Sequence, residues 1–324
     1  MVPTVSVVVT TYNHARYIEA TLESVFKQTH PPMEIIVVDD GSTDETPSIL
    51  ARFGDKVRYI RQKNQGVASS RNTGISQARG DYVALLDGDD LWECEKLAVQ
   101  SRAACDFPES GLIVANGVEF DDSRILQPSL LRDVVKELQL QDDHVVTVPY
   151  YEQALEGNPI WTASQVMMPR TVLHHIGPSD QKFRWGSDYD LYLRIANQYD
   201  ITFITTRLVK WRYLHTSASG PGDLRRLRYC HDHILALQKQ LRTASEPRRA
   251  VIRAILHRQV PLASESAYYY GRHHDRVLST RTLWHLTTAE FGLTPLAYLA
   301  ALWVPSIITS GAGPIIRRIL GLSR

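Results

Sequence analysis

The sequence predicts an α/β fold: a single, mostly parallel sheet flanked by helices, continued by a helical C-terminal extension. Three observations predict it. Runs of β-branched residues alternate with segments of helical periodicity over residues 4–97, the pattern of strands joined by crossover helices. The runs end in polar clusters, at Thr11/Tyr12/Asn13, at Asp39/Asp40 and at Asp87/Asp89/Asp90; in parallel sheets, ligands bind beyond the carboxyl ends of the strands. The composition, 44% hydrophobic and 22% charged over 324 residues, supplies core for one large domain or two smaller ones.

The elements follow in order. "TVSVVVTTYN" (4–13) is a continuous apolar, β-branched run, as for a strand covered on both faces. "HARYIEATLESVFKQ" places Ile18, Leu22, Val25 and Phe26 at helical spacing. "PPMEIIVVDDGS" (31–42) is a second buried strand, and "STDETPSILARF" opens a helix with Ser42 and Glu45 set for a capping box. "VRYIRQ" (57–62) is a third strand, "VASSRNTGISQA" (67–78) a helix and "YVALLD" (82–87) a fourth strand. Beyond Leu97 the pattern loosens. A strand at "GLIVANGVEF", a strand at "TASQVMMPR", a helix near 170–176, a helix at 187–199 and a strand at 201–214 are legible; the polar segment 121–147 is not assignable. From residue 224 the chain reads as helical and arginine-rich.

Charge is unevenly placed. The net charge is +1, which excludes a general polyanion or nucleic-acid binder. Yet residues 224–324 hold 15 Lys/Arg against 5 Asp/Glu, leaving 21 and 30 for residues 1–223. An acidic front and a basic back suggest two tasks, the second toward something anionic. Cys94, Cys105 and Cys230 have neither metal-type spacing nor a disulfide pattern, which fits a reducing compartment. The N-terminus enters a strand without a basic n-region or cleavage site, so a cytoplasmic location is expected.

The stretch "YVALLDGDDLWECEKL" (82–97) poses the chemical question, because a buried run stops in three carboxylates within four positions. Like charges at close range raise each other's pKa, and a divalent cation on oxygen ligands relieves that. A solvated turn is the other reading. G-x-G-x-x-G and G-x-x-x-x-G-K-[ST] are both absent, which argues against a dinucleotide or P-loop site.

"VSVVVTTYNHARYIEATLESVFKQT", "EIIVVDDGSTDET", "NQGVASSRNTGISQARGDYVALLDGDD" and "DYDLYLR" resemble family 2 glycosyltransferases. The resemblance is dense over residues 5–97, extends to about residue 215, and does not specifically cover the remainder. It implies a GT-A fold and an inverting transfer of one hexosyl unit from a nucleotide-sugar donor, expected to be UDP-linked, to a glycan or lipid-linked acceptor. It implies a catalytic domain at 1–215, with a nucleotide-sugar half (1–97) and an acceptor half (98–215), before a basic helical region at 216–324. Thr11, Tyr12, Asn13, Asp39 and Asp40 would line the nucleotide pocket. Arg71 would lie over the base or ribose, against the plainer reading of a salt-bridged helix residue. Asp87 would bond the ribose, and Asp89 would hold Mg²⁺ or Mn²⁺. Asp90 could instead cap the following helix.

In this family the general base is the Asp of a Glu-Asp pair opening a helix. Asp188 takes that position, with Ser187 in place of the Glu; an N-cap is its structural alternative. Asp190 is expected to pair with Arg194 at i, i+4. His215 is a candidate third metal ligand, and Arg212 a candidate diphosphate contact. "QKFRW" (181–185) matches the Q-x-x-R-W signature of processive synthases but precedes Asp188, so it is read as chance, and single transfer is favoured. Nucleotidyltransferases and an inactive glycan-binding module are the competing classes; the first lacks its Gly-rich loop here, and the second would be expected to lose Asp87/Asp89 or Asp188. The segment 291–316 carries no charge and is followed by Arg317 and Arg318. Prolines and glycines interrupt it, so it is a candidate for contact with an anionic membrane surface rather than a span. Tyr268–Tyr270 and His273–His274 are further, weaker acceptor candidates.

Overall fold

Strand β1 (Val5–Thr11) is buried at every position, as its unbroken apolar run requires of a strand covered on both faces. Parallel neighbours flank it: β2 (Glu34–Asp39) on one side and β4 (Tyr82–Asp87) on the other, with β3 (Arg58–Arg61) outside β2. Helix α1 (Ile18–Phe26) buries Ile18, Leu22 and Val25. Each such side chain contributes about 1.5–3 kcal/mol relative to exposure. Helix α3 (Val67–Gln77) buries small residues instead, Ala68, Ser69, Ser70 and Gly74. A Cβ on Gly74 would sit 2.2 Å from Val8 Cγ1, so the glycine lets this helix lie directly on the sheet.

Helix α2 (Thr46–Ala51) departs from expectation. Its N-cap is Glu45 without a side-chain cap. Ser42 belongs to the preceding turn, where its N–H donates to Asp39 and its Oγ accepts from Asn13 N–H at 2.9 Å. The capping box is therefore not formed, because Ser42 is already engaged by the neighbouring strand ends.

The sheet continues through β5 (Leu91–Trp92), β6 (Ser110–Asp121), β7 (Arg124–Gln127), β8 (Val145–Val148), β9 (Val166–Pro169) and β10 (Asp200–Arg212). The order is β3-β2-β1-β4-β9-β6-β10-β5, with β7 on β6 and β8 on β10. Most paired residues of the described chain lie in parallel ladders, the longest between β6 and β10. Helices α4 (Lys96–Asp106), α5 (Arg132–Glu137), α6 (Tyr151–Glu156), α7 (Arg170–Ile176) and α8 (Ser187–Ala196) complete this part. The polar segment 121–147 resolves into β7, α5 and the approach to β8. Its strands are short and half-exposed, which is why no periodicity marks them.

The computed structural model describes residues 2–183, 186–214 and 222–273, with 280 and 283. The chain divides into two compact units, Met1–Leu214 and His215–Arg324. In the second, α9 (Gly222–Thr243) and α10 (Glu246–His273) pack together and bury Leu237, Ile252 and Leu256. No disulfide joins Cys94, Cys105 and Cys230. Among the described residues no helix is long and apolar enough to cross a membrane. His215, Arg184 and Trp185 of the Q-x-x-R-W match, His274 and the segment 291–324 lie outside the described residues, as do the side chains of Tyr268–Tyr270 and His273.

Candidate active site

Strands β1, β2 and β4 deliver their C-terminal ends to one edge of the sheet. Their registers set Thr11 beside Asp39 and Thr10 beside Asp87. Asp39 is fully buried and accepts from Ser42 N–H and the Tyr59 hydroxyl, both at 2.8 Å. Asp40 accepts from Gln62 Nε2 (2.7 Å), Gln65 N–H (3.0 Å) and Gly66 N–H (2.7 Å). Both carboxylates are thus held from inside, and Asp40 fixes the loop that starts α3. Thr11 is buried with its hydroxyl unpartnered, while Tyr12 stands 43% exposed. Asn13 adopts a left-handed backbone, φ 55°. Its Oδ1 accepts from Thr43 N–H at 2.8 Å, tying the loop after β1 to the loop after β2.

At the end of β4 the three carboxylates have separate environments. Asp87 receives Arg71 Nη2 on both oxygens, at 2.9 and 3.2 Å, and hydroxyls of Thr10 (3.2 Å) and Thr162 (3.3 Å). Burial pushes its pKa up, but Arg71 and the hydrogen bonds outweigh burial and hold it below the ordinary value. Gly88 is required sterically: a Cβ there would lie 2.9 Å from Thr11 Oγ1 and 3.0 Å from His14 Nδ1. Asp89 lies 4.0 Å from His14 Nε2. Burial, opposed by His14 and reinforced by Asp87, raises its pKa. Asp90 does not cap a helix. Its carboxylate accepts from Thr162 Oγ1 (2.9 Å), Ser164 Oγ (2.5 Å) and Arg212 N–H (2.9 Å), and burial with its acidic neighbours raises its pKa well above normal.

Arg212 braces this loop from the end of β10. Its Nε donates to the Asp89 carbonyl at 2.8 Å, and its guanidinium pairs with Asp122. The guanidinium also lies over the rings of Tyr17 (4.8 Å) and Phe120 (4.5 Å). Burial lowers its pKa, against the pull of Tyr17 and the nearby carboxylates.

Asp188 opens α8 and points at the same cluster. Arg71, only 7% exposed, reaches it with Nη1 at 3.7 Å while holding Asp87 with Nη2. One guanidinium therefore links the end of β4 to the start of α8. Burial raises the Asp188 pKa; Arg71 and the Tyr189 N–H (2.7 Å) oppose this, and the net direction is upward. A raised carboxyl suits proton acceptance. Asp190 pairs with Arg194 at 3.0 Å, as expected from their spacing.

Asp89 and its surroundings fit a hard divalent cation. The carboxylate is partly buried beside Asp87, which repels it, and the buried Nδ1 of the adjacent His14 has no hydrogen-bond partner. Among the described residues no group of three acidic, His or Cys side chains could hold a metal alone, so oxygens of a bound ligand or solvent would complete the shell, as is usual for Mg²⁺. Four residues of this corner escape sequence reasoning: His14, Thr162, Ser164 and Tyr192. His14 directly follows the marked Thr11–Asn13 cluster and was within reach of it. Thr162 and Ser164 carry no local signal, because they meet Asp87 and Asp90 only through the sheet.

Comparisons with known proteins bear on the family and the fold. Residues 6–188 match the family model described as glycosyl transferase family 2. An uncharacterized glycosyltransferase of Rickettsia felis is 29% identical over 215 residues, 65% of this chain; the match spans only 34% of that relative's own length. Among solved structures, Staphylococcus aureus TarS 1–349 in complex with UDP-GlcNAc superposes with TM-score 0.59 at 15% identity, covering 92% of this chain and 91% of that one. Mannosyltransferase PcManGT from Pyrobaculum calidifontis, in complex with GDP-Man and Mn²⁺, superposes with TM-score 0.56 at 21% identity, covering 99% and 85%. At these identities the likeness is one of fold, and it is the GT-A arrangement that the motifs imply.

Proposed function

The chain belongs to glycosyl transferase family 2, and from that premise we propose an inverting transfer of one sugar from a nucleotide-sugar donor to an acceptor hydroxyl, with Asp188 as general base. The observation that carries this reading is the Arg71 bridge, which brings Asp87 and Asp188 into one partly buried cluster from widely separated parts of the chain. In the step, the acceptor oxygen attacks the anomeric carbon and its proton passes to the Asp188 carboxylate. The bond from that carbon to the diphosphate breaks, and its electron pair leaves with the nucleoside diphosphate.

The donor is read as UDP-linked, in keeping with the UDP-GlcNAc complex of the TarS relative in fold. Tyr12, exposed beside the Thr11 corner, is the side chain available to stack on a base, while Asp39, Asp40 and Asn13 shape the pocket through its loops. Asp89, with His14 beside it and His215 as a further candidate, would hold Mg²⁺ or Mn²⁺. Bound there, the ion neutralises charge on the leaving diphosphate. Arg212 supports the site by holding the Asp89 carbonyl.

Calorimetric titration with UDP, with and without Mn²⁺, tests the donor side. Mn²⁺ should strengthen UDP binding to the parent chain and leave binding to Asp89→Ala unchanged. Equal UDP affinity with and without the metal would remove the metal from the reading. The acceptor is proposed to be a glycan or lipid-linked sugar, with the basic region after residue 224 held at an anionic membrane surface. Each Lys or Arg near such a surface contributes about 1 kcal/mol, so binding should be reversible and salt-sensitive. Absence of co-sedimentation with anionic vesicles at low salt would point to a soluble acceptor.

A further inference from the structure

Helix α8 carries Asp188 in its first turn and Tyr192 four residues later, on the same face. Helical side chains tilt toward the N-terminus of their helix, which carries the Tyr192 ring back toward the level of Asp188. Tyr192 is 3% exposed, and its hydroxyl is buried with no hydrogen-bond partner. Tyr189 on the same helix shows the contrast, since its hydroxyl donates to the Ala154 carbonyl at 2.7 Å. A buried hydroxyl left unpartnered costs about 1–3 kcal/mol, and such groups are rare enough to call for a reason. A phenylalanine would fill this position without that cost.

The charges that act on the Tyr192 hydroxyl are those of Asp188, Arg71 and Asp87. Burial and the two carboxylates raise its pKa well above the usual phenol value, so it stays a protonated donor. Asp188 offers the matching acceptor. Its Oδ1 takes the Tyr189 N–H, while its Oδ2 faces Arg71 at 3.7 Å, too far for a hydrogen bond. An unpartnered donor and an under-coordinated acceptor thus lie one helical turn apart.

We infer that Tyr192 is a positioning residue for the base: its hydroxyl donates to the Asp188 carboxylate in the reacting complex and holds it aimed and ionised. This rests on the reading of Asp188 as general base. The groups facing Asp188 are Arg71 from α3, Asp87 from β4, and Tyr192 and the Tyr189 N–H from its own helix. A hydrogen bond to the charged form lowers a carboxyl pKa. Its removal therefore raises that pKa and moves the acid limb of activity to higher pH.

The test is Tyr192→Phe, which deletes one oxygen and keeps the ring. Hydrolysis of a panel of UDP- and GDP-sugars in Mn²⁺ gives the kinetic readout. The ¹³Cγ resonance of Asp188 in the complex with UDP and Mn²⁺, assigned by its loss in Asp188→Asn, gives one that needs no turnover. Tyr192→Phe should lower kcat about 10-fold with KM unchanged, the effect of one hydrogen bond to a charged group. It should raise the Asp188 titration midpoint by about one pH unit and cause no further loss in an Asp188→Asn background. If Asp188→Asn is crippled but the Tyr192→Phe loss is the same in both backgrounds, or the Asp188 titration does not move, Tyr192 is a packing residue and the base reading stands. If Asp188→Asn keeps its turnover, the base reading fails and this inference fails with it.

Discussion

In the half of the sheet made by β3, β2, β1 and β4, every ladder is parallel and successive strands come from neighbouring stretches of sequence. In the half made by β9, β6, β10 and β5, antiparallel ladders join a parallel one, and partners come from distant segments. The loop from Asp87 to Asp90 lies where the two halves meet. Asp87 is braced chiefly from the first, by Thr10 and Arg71. The Asp90 carboxylate is braced from the second, by Thr162, Ser164 and Arg212, while its carbonyl accepts from Thr21 of α1. Two carboxylates three positions apart in one loop therefore report on two separately built parts. In the proposed reading the first half provides the nucleotide corner, and the second holds the side chain at the far end of the loop, that of Asp90.

The sharpest way to break this division is Asp188→Asn. Asp188 belongs to the second half by sequence, yet its charged partner is Arg71 of the first. The amide is nearly isosteric and cannot accept the proton, so kcat should fall about 10²–10⁴-fold. UDP affinity, which the proposed reading assigns to the first half, should stay within about 2-fold of the parent, well under 1 kcal/mol. A collapse of UDP binding together with kcat would show that the two halves act as one unit and that Asp188 is structural.

A smaller effect sharpens the comparison within the loop itself. Ser164 Oγ accepts from Asp87 N–H at 3.0 Å and donates to Asp90 at 2.5 Å, clasping both ends of the turn. Ser164→Ala removes both bonds in a fully buried place and should cost about 2–3 kcal/mol of unfolding free energy. Thr10→Val removes one 3.2 Å bond from the first half only and should cost about 1 kcal/mol. Denaturant melts of the two variants decide the matter; equal losses would contradict the placement of the loop at the junction.

The same division explains what could be read in the chain. The first half is legible because strand, helix and ligand corner repeat within about thirty residues, the length of one βαβ unit; Val5–Thr11, Glu34–Asp39 and Tyr82–Asp87 each end where a polar cluster stands in the sequence. The β6–β10 ladder joins strands whose pairing no local pattern announces, and β7 and β8 are too short and half-exposed to show an alternation. At the site, Asp87, Asp89 and Asp188 were visible as types in context. The internal partners of Asp39 and Asp40 were not, because Tyr59, Gln62 and the Gly66 N–H come from the strand and loop that follow. Asp90 looked like a helix cap because Lys96–Asp106 starts nearby, but burial against Thr162 and Ser164 decided its place.

The smallest predicted effect concerns Lys96, just behind the junction. Its amine is fully buried, lies 3.6 Å from the Trp92 ring centroid and has no hydrogen-bond partner. Trp92 in turn donates its indole N–H to the Ser164 carbonyl at 2.9 Å, so this contact supports the clasp from below. The ring attracts a cation, by about 2 kcal/mol where water is excluded, yet burial prevails and holds the Lys96 pKa well below its ordinary value. In the unfolded chain the amine titrates near the ordinary value of about 10.4. Between the two values the unfolded chain binds one more proton than the folded one, so stability rises with pH through that window. Lys96→Met keeps the apolar stem and removes the titration. At pH 7 it should raise Tm by about 2–4 °C, the shift that about 1 kcal/mol makes in a domain of this size. The gap from the parent should narrow as the pH approaches 10, where the unfolded lysine also begins to lose its proton. Calorimetric scans of both full-length chains from pH 6 to pH 10 measure this. A variant less stable than the parent at pH 7, with a gap insensitive to pH, would mean that Lys96 is charged in the fold and that its attraction to Trp92 outweighs burial.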